Sequence, residues 1–107
     1  MPNMIRIEYQ RDNLGNITYL SLKGHAGSDE YGKDLVCAAV SAIITGGLNS
    51  LRNPKSFDII FEEGNVNVKA KENVLKDDYK TLDVILTQLL TVEEKEKSYV
   101  KVVEKGN

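Results

Sequence analysis

Asp34-Leu35-Val36-Cys37-Ala38-Ala39-Val40-Ser41-Ala42-Ile43-Ile44 is the stretch on which the fold turns. Asp34 heads an apolar run, and an aspartate there predicts a helix N-cap, its carboxylate accepting a bond from an unpaired backbone N–H. The helix is expected to continue through Leu35 to about Leu51. Leu35, Val36, Ala38, Ala39, Val40, Ala42, Ile43 and Ile44 leave almost no polar face, so the segment should be buried on most sides. Gly46-Gly47 is less favourable than alanine by about 1 kcal/mol per residue. The pair marks either a weak point in the helix or a place where another backbone comes close. Asn53-Pro54 ends the helical region, because a residue before proline avoids the helical basin.

On either side of this helix the period of the apolar residues changes to two. Residues 4–10 place Ile5, Ile7 and Tyr9 on one face and Arg6, Glu8 and Gln10 on the other, the pattern of a half-buried strand. Asp12-Asn13-Leu14-Gly15-Asn16 is turn chemistry, and residues 17–24 form a second strand, so the chain begins with a hairpin. After the helix, residues 56–62 show Phe57, Ile59 and Phe61 on one face. Glu63-Gly64-Asn65 turns the chain into a fourth strand with Val66, Val68 and Ala70. Asp77 or Asp78 should cap a second helix striped by Tyr79, Leu82, Ile85/Leu86 and Leu89/Leu90. Glu93-Glu94-Lys95-Glu96-Lys97 reads as a solvated charge run, and residues 98–105 as a last strand. The order is ββαββαβ in a single domain, 1–107. The expected class is α+β, a mostly antiparallel sheet with two helices.

Composition narrows the function classes. Lys and Arg number 14 against 16 Asp and Glu, interleaved, for a net charge of −2; a nucleic-acid footprint needs clustered basic residues. No apolar run approaches a membrane span and no leader pattern opens the chain, so a cytoplasmic protein is expected. One cysteine excludes an internal disulfide. Cys37 and His25, the one histidine, fall short of a four-ligand zinc set; a carboxylate-assisted site stays formally open, but neither metal nor cofactor is expected.

The chemistry concentrates in Gly24-His25-Ala26-Gly27-Ser28-Asp29-Glu30-Tyr31-Gly32-Lys33, which leads into the helix. With Asp34 as N-cap, Cys37 is the third helical residue. Its sulfur would lie near unpaired N–H groups and the positive end of the helix dipole. Such positions lower a thiol pKa from about 8.5 to roughly 3.5–7.5. His25 ends the second strand, within loop reach of the helix start. A nucleophile on a helix with its base on a strand suits acyl transfer, and the first-turn N–H groups could form an oxyanion hole. Gly27 and Gly32 would hinge the loop. Asp34 orients His25 or simply caps. Ser41, one turn after Cys37, supports the sulfur or the backbone. The plain alternative is that Cys37 is a small core hydrophobe and His25 a solvated loop residue. A redox-sensing thiol and a non-enzymatic binding module are further readings.

Gly24-His25-Ala26 followed by Gly32-x-Asp34-Leu35-Val36-Cys37-Ala38-Ala39-Val40-Ser41 closely resembles the signature of the bacterial ribosomal-processing cysteine protease family, Prp, and the resemblance extends over essentially the whole chain. It implies a cysteine endopeptidase that removes a short N-terminal extension from large-subunit ribosomal protein twenty-seven, with Cys37 as nucleophile and His25 as general base. Gly24, Ala26, Gly27, Gly32, Asp34 and Ser41 would be supporting or substrate-binding positions. The family cuts after an aromatic residue in an apolar leader, which implies a groove for extended peptide, and its members form homodimers with a loop over the site. The partner is then the leader of a large-subunit ribosomal protein, with no direct nucleic-acid or membrane contact. The rival is a non-enzymatic ribosome-associated module. Ser28-Asp29-Glu30 departs from the pattern, being acidic where small residues are common.

Overall fold

The computed structural model describes residues 4–24 and 31–106, with the backbone alone for 31–34. In strand β1 (Ile5–Arg11), Ile5 and Ile7 are buried while Arg6 faces water. The chain reverses at Asp12, whose Oδ1 accepts the N–H groups of Leu14 and Asn16 at 2.9 and 3.0 Å. Gly15, at φ 85°, takes the left-handed position that this turn requires. Strand β2 (Ile17–Lys23) returns antiparallel to β1. Helix α1 (Tyr31–Asn49) follows, then a 3-10 turn at Pro54–Ser56 and the hairpin of β3 (Phe57–Glu62) and β4 (Asn65–Ala70). Helix α2 (Lys76–Lys95) leads to β5 (Val100–Glu104).

The five strands lie in the order β3-β4-β2-β1-β5. β3/β4, β4/β2 and β2/β1 are antiparallel and β1/β5 parallel, so the ββαββαβ order and the mostly antiparallel α+β class hold. One sheet face carries Ile5, Ile7, Leu20, Leu22, Val66 and Val68 into the core. Against it lie Val36, Cys37, Val40 and Ile44 of α1 and Leu82, Ile85, Leu86 and Leu89 of α2. Spacings of three and four make each set one stripe of its helix. Each large apolar side chain so buried contributes about 1.5–3 kcal/mol relative to exposure. The other face is polar: Arg6 donates to Glu8 at 2.9 Å, and that bond holds the Glu8 carboxyl below its ordinary pKa.

Five expectations need correction. α1 already includes Tyr31, so Asp34 is inside the helix and is not its N-cap. α1 also ends at Asn49, short of Leu51. It is not buried on most sides: Leu35 is 54% exposed, and Ala38, Ala39 and Ala42 are exposed too. With one sheet and two helices, α1 has only a sheet-facing and an α2-facing side to hide. Neither Asp77 nor Asp78 caps α2, since Leu75 holds that position. Asp78 is instead fully buried, its carboxylate accepting the N–H groups of Arg52 and Asn53 at 2.7 and 2.9 Å. Finally, Glu93 is not merely solvated, because its Oε2 accepts the Val102 N–H at 2.7 Å and ties α2 to β5.

Gly46-Gly47 resolves into two different positions. A Cβ at Gly47 would overlap the Ile85 side chain, so its bareness is what lets α2 approach α1. The close neighbour is a side chain, not a backbone. Gly46 faces open space.

Candidate active site

Cys37, Ser41 and Thr45 are spaced by four along α1, which puts them on one face of the helix. That face forms one wall of a cleft of about 160 Å³. Leu22 and Gly24 at the end of β2, with Ile5 and Val66, form its floor, and the β3–β4 turn from Phe61 to Gly64 forms the opposite rim. The turn is held there by register. β2 pairs with β4 from Tyr19↔Lys69 to Lys23↔Asn65, and the Gly24 N–H donates to the Gly64 carbonyl at 3.1 Å.

Gly24 has a backbone reason to be glycine. Its φ is 115°, and a Cβ would come within 2.6 Å of the Met4 carbonyl oxygen. Cys37 itself is 8% exposed and belongs to the core cluster while its residue lines the cleft. The core reading and the nucleophile reading therefore describe the same side chain: packed on one side, bordering a cavity on the other.

The longer helix changes the electrostatic argument. Cys37 is the seventh residue of α1, not the third. The unpaired N–H groups of a helix are its first four, and the dipole effect fades within the first turn. Neither therefore acts on Cys37 as expected, and its own N–H is not among the donors free for an oxyanion hole. Gly32 is likewise a helical residue and not a loop hinge. His25, Ala26 and Gly27 lie outside the described residues, as do the side chain of Asp34 and its orienting role.

Of the anticipated positions, the structure brings Gly24, Cys37 and Ser41 to one cavity. It adds Thr45, Phe61, Glu62, Glu63 and Gly64, whose sequence pattern marks them only as helix, strand and turn. Thr45 was signalled by its spacing from Cys37. The others were not, since their place depends on the pairing of β4 with β2. Phe61 is 51% exposed on the rim, so the cleft joins an apolar floor to an aromatic and acidic lip. A thiol in such a wall can be presented to the carbonyl of a peptide laid across the opening. Among the described residues no three His, Cys, Asp or Glu side chains converge as a metal site. No described helix is long and apolar enough to cross a membrane.

The sequence profile of the family described as cysteine protease Prp matches residues 4–101. The ribosomal processing cysteine protease Prp of Staphylococcus aureus strain Mu50 is 30% identical over 95 residues, 85% of this chain and 90% of the relative. Two crystal structures of the S. aureus enzyme, described as an essential ribosomal processing protease, superpose on the fold. One is in complex with a covalently linked product peptide (TM-score 0.82, 27% identity) and the other with a substrate peptide (TM-score 0.83, 26% identity). Each covers 95% of this chain and 100% of the other. From the profile match and the relative together, the chain belongs to the Prp family of cysteine proteases.

Proposed function

We propose that this chain is a processing endopeptidase that removes the short N-terminal extension of large-subunit ribosomal protein twenty-seven. The observation that carries the reading is the cleft: Cys37 lines it together with Gly24, the residue directly before His25 in the chain. The S. aureus relatives, caught with substrate peptide and with a covalently linked product, support peptide chemistry at such a site.

In this mechanism His25 takes the Cys37 proton and the thiolate attacks the scissile carbonyl. A carbon–sulfur bond forms, the peptide C–N bond breaks, and the proton passes from His25 to the leaving amine. Water then attacks the thioester as His25 takes its proton; the carbon–sulfur bond breaks, the proton returns from His25 to the sulfur, and the leader leaves with a new carboxylate. Gly24 and Ser41 shape the cavity around the sulfur, and Ala26, Gly27, Gly32 and Asp34 belong to the segment connecting base to nucleophile. The enzyme works in the cytoplasm as a homodimer, needs no cofactor or metal, and touches its ribosomal partner through the leader rather than through nucleic acid or membrane.

The test is to incubate the purified chain with leader-bearing ribosomal protein twenty-seven from the same bacterium and read intact masses. A single discrete mass loss with the wild type, absent with Cys37→Ala and with His25→Ala while both variants keep the wild-type circular dichroism, is the expected result. Wild-type rates in either variant would overturn the assignment. No mass loss with any of the three, the protein being folded and the thiol reduced, would favour a non-enzymatic ribosome-associated module.

A further inference from the structure

Beside the Cys37 cleft runs a second groove of about 420 Å³, between the C-terminal half of α1 and β3. Leu48, Leu51, Pro54 and Ile59 line it, and it shares Thr45 and Phe61 with the cleft. The two therefore adjoin, with Thr45 and Phe61 common to both walls. From Cys37 to Asn49 α1 rises about 18 Å, the span of roughly five or six extended residues.

The outer wall of this groove is a sheet edge. Among the described residues β3 pairs with β4 alone and is the first strand in the sheet order. Antiparallel partners alternate between residues that exchange hydrogen bonds and residues that do not. The Lys71 N–H donates to the Ser56 carbonyl at 2.8 Å, which fixes the phase. Asp58, Ile60 and Glu62 then face β4, and Phe57, Ile59 and Phe61 turn their backbone groups to the free edge. The Phe57 N–H agrees with this phase, since it bonds back to the Pro54 carbonyl. Ile59 and Phe61 thus offer N–H and C=O groups along the groove, and their side chains lie in it.

We propose that β3 is a substrate-docking edge: an extended apolar segment of the peptide, flanking the scissile bond, adds to β3 as a sixth strand and drops alternate side chains into the groove against Leu48, Leu51 and Pro54. This rests on the protease reading and says where that substrate lies. Backbone pairing supplies affinity, and the apolar pockets select an apolar flank of the right length. The walls it shares with the Cys37 cleft, Thr45 and Phe61, are what commit the groove to substrate.

The probe is a synthetic peptide carrying the leader and first mature residues of ribosomal protein twenty-seven. Amide hydrogen exchange is measured on the Cys37→Ala variant with and without it, and cleavage by the wild type is followed in parallel. Exchange at Ile59 and Phe61 should slow about tenfold or more on binding, as expected for amides that gain partners. N-methylation of alternate backbone amides in the apolar flank should raise KM about tenfold for the loss of one or two such bonds, leaving kcat unchanged. Cleavage with unaltered exchange at both amides would overturn the docking edge alone. No cleavage of the unmodified peptide would overturn the protease reading and the docking edge with it. Protection already present without peptide, rising with protein concentration, would mean that a second copy occupies the edge, and would also overturn the proposal.

Discussion

The carboxylate of Asp78 is fully buried, yet it serves a segment more than twenty positions away in the chain. By accepting the N–H groups of Arg52 and Asn53 it fixes the exit of α1 onto the start of α2. Asp78→Ala would leave two partly buried donors without a partner, each worth about 1–3 kcal/mol, so a destabilisation of about 2–6 kcal/mol is expected. Asp78→Asn keeps one acceptor oxygen and should lose about half as much. Urea unfolding with an unchanged slope checks both. Gly24 makes the corresponding case at the cleft. Gly24→Ala strains a backbone at φ 115° and pushes against the Met4 carbonyl, for about 1–3 kcal/mol of stability. Because Gly24 directly precedes His25 in the chain, kcat/KM should drop at least about tenfold, as a displacement of an ångström at a reacting group does. A variant as active as wild type would remove Gly24 from the site.

The two helices show how unequal neighbouring residues can be. Gly47 lies where Ile85 crosses α1, and Gly46 points to open space. Gly47→Ala must displace a buried Ile85 and should destabilise by about 1–3 kcal/mol. Gly46→Ala meets nothing and gains helix propensity, so it should stabilise by about 0.5–1 kcal/mol. Thermal unfolding of the pair of variants reads the opposite signs directly. The sequence showed that two glycines sat in a helix but not which one faced a partner, because that depends on how α1 and α2 cross. A similar limit explains the misplaced helix start. Asp34 has the chemistry of an N-cap, but capping preference is worth only about 1 kcal/mol, too little to fix by itself where a helix begins. The Cys37–Ser41 relation was legible because it needs only the helical period, and it survives a helix that begins earlier.

At the scale of the molecule, the elements were readable from alternation and stripe, whereas the sheet order was not. Strand patterns such as Ile5/Ile7 and Val66/Val68 say which face is buried, but not that β4 lies beside β2, nor that β5 runs parallel to β1. Those choices bring the β3–β4 turn to Cys37, which is why Phe61 to Gly64 could not be foreseen as site residues. They also give the sheet two different edges. β5 is tied to α2 by the bond from Val102 to Glu93, whereas among the described residues no strand pairs with the outer side of β3. β5 therefore closes the core. Val100 is 1% exposed, and the ends of the β1/β5 pairing are pinned by Ile5 N–H to Tyr99 carbonyl at 2.8 Å and Lys105 N–H to Tyr9 carbonyl at 2.7 Å. Ending the chain after Lys97 would open an edge at β1, whose Ile5 and Ile7 are core residues, and orphan the Glu93 carboxylate. Loss of Val100 burial alone removes about 1.5–3 kcal/mol, and the lost ladder adds to it. A domain of this size holds about 5–15 kcal/mol in all. The shortened chain should therefore lose most of its cooperative thermal transition and its peptide cleavage together, although every residue of the cleft is still present. A truncated protein that melts cooperatively near the wild-type temperature would show that β5 is dispensable and that α2 alone closes the core.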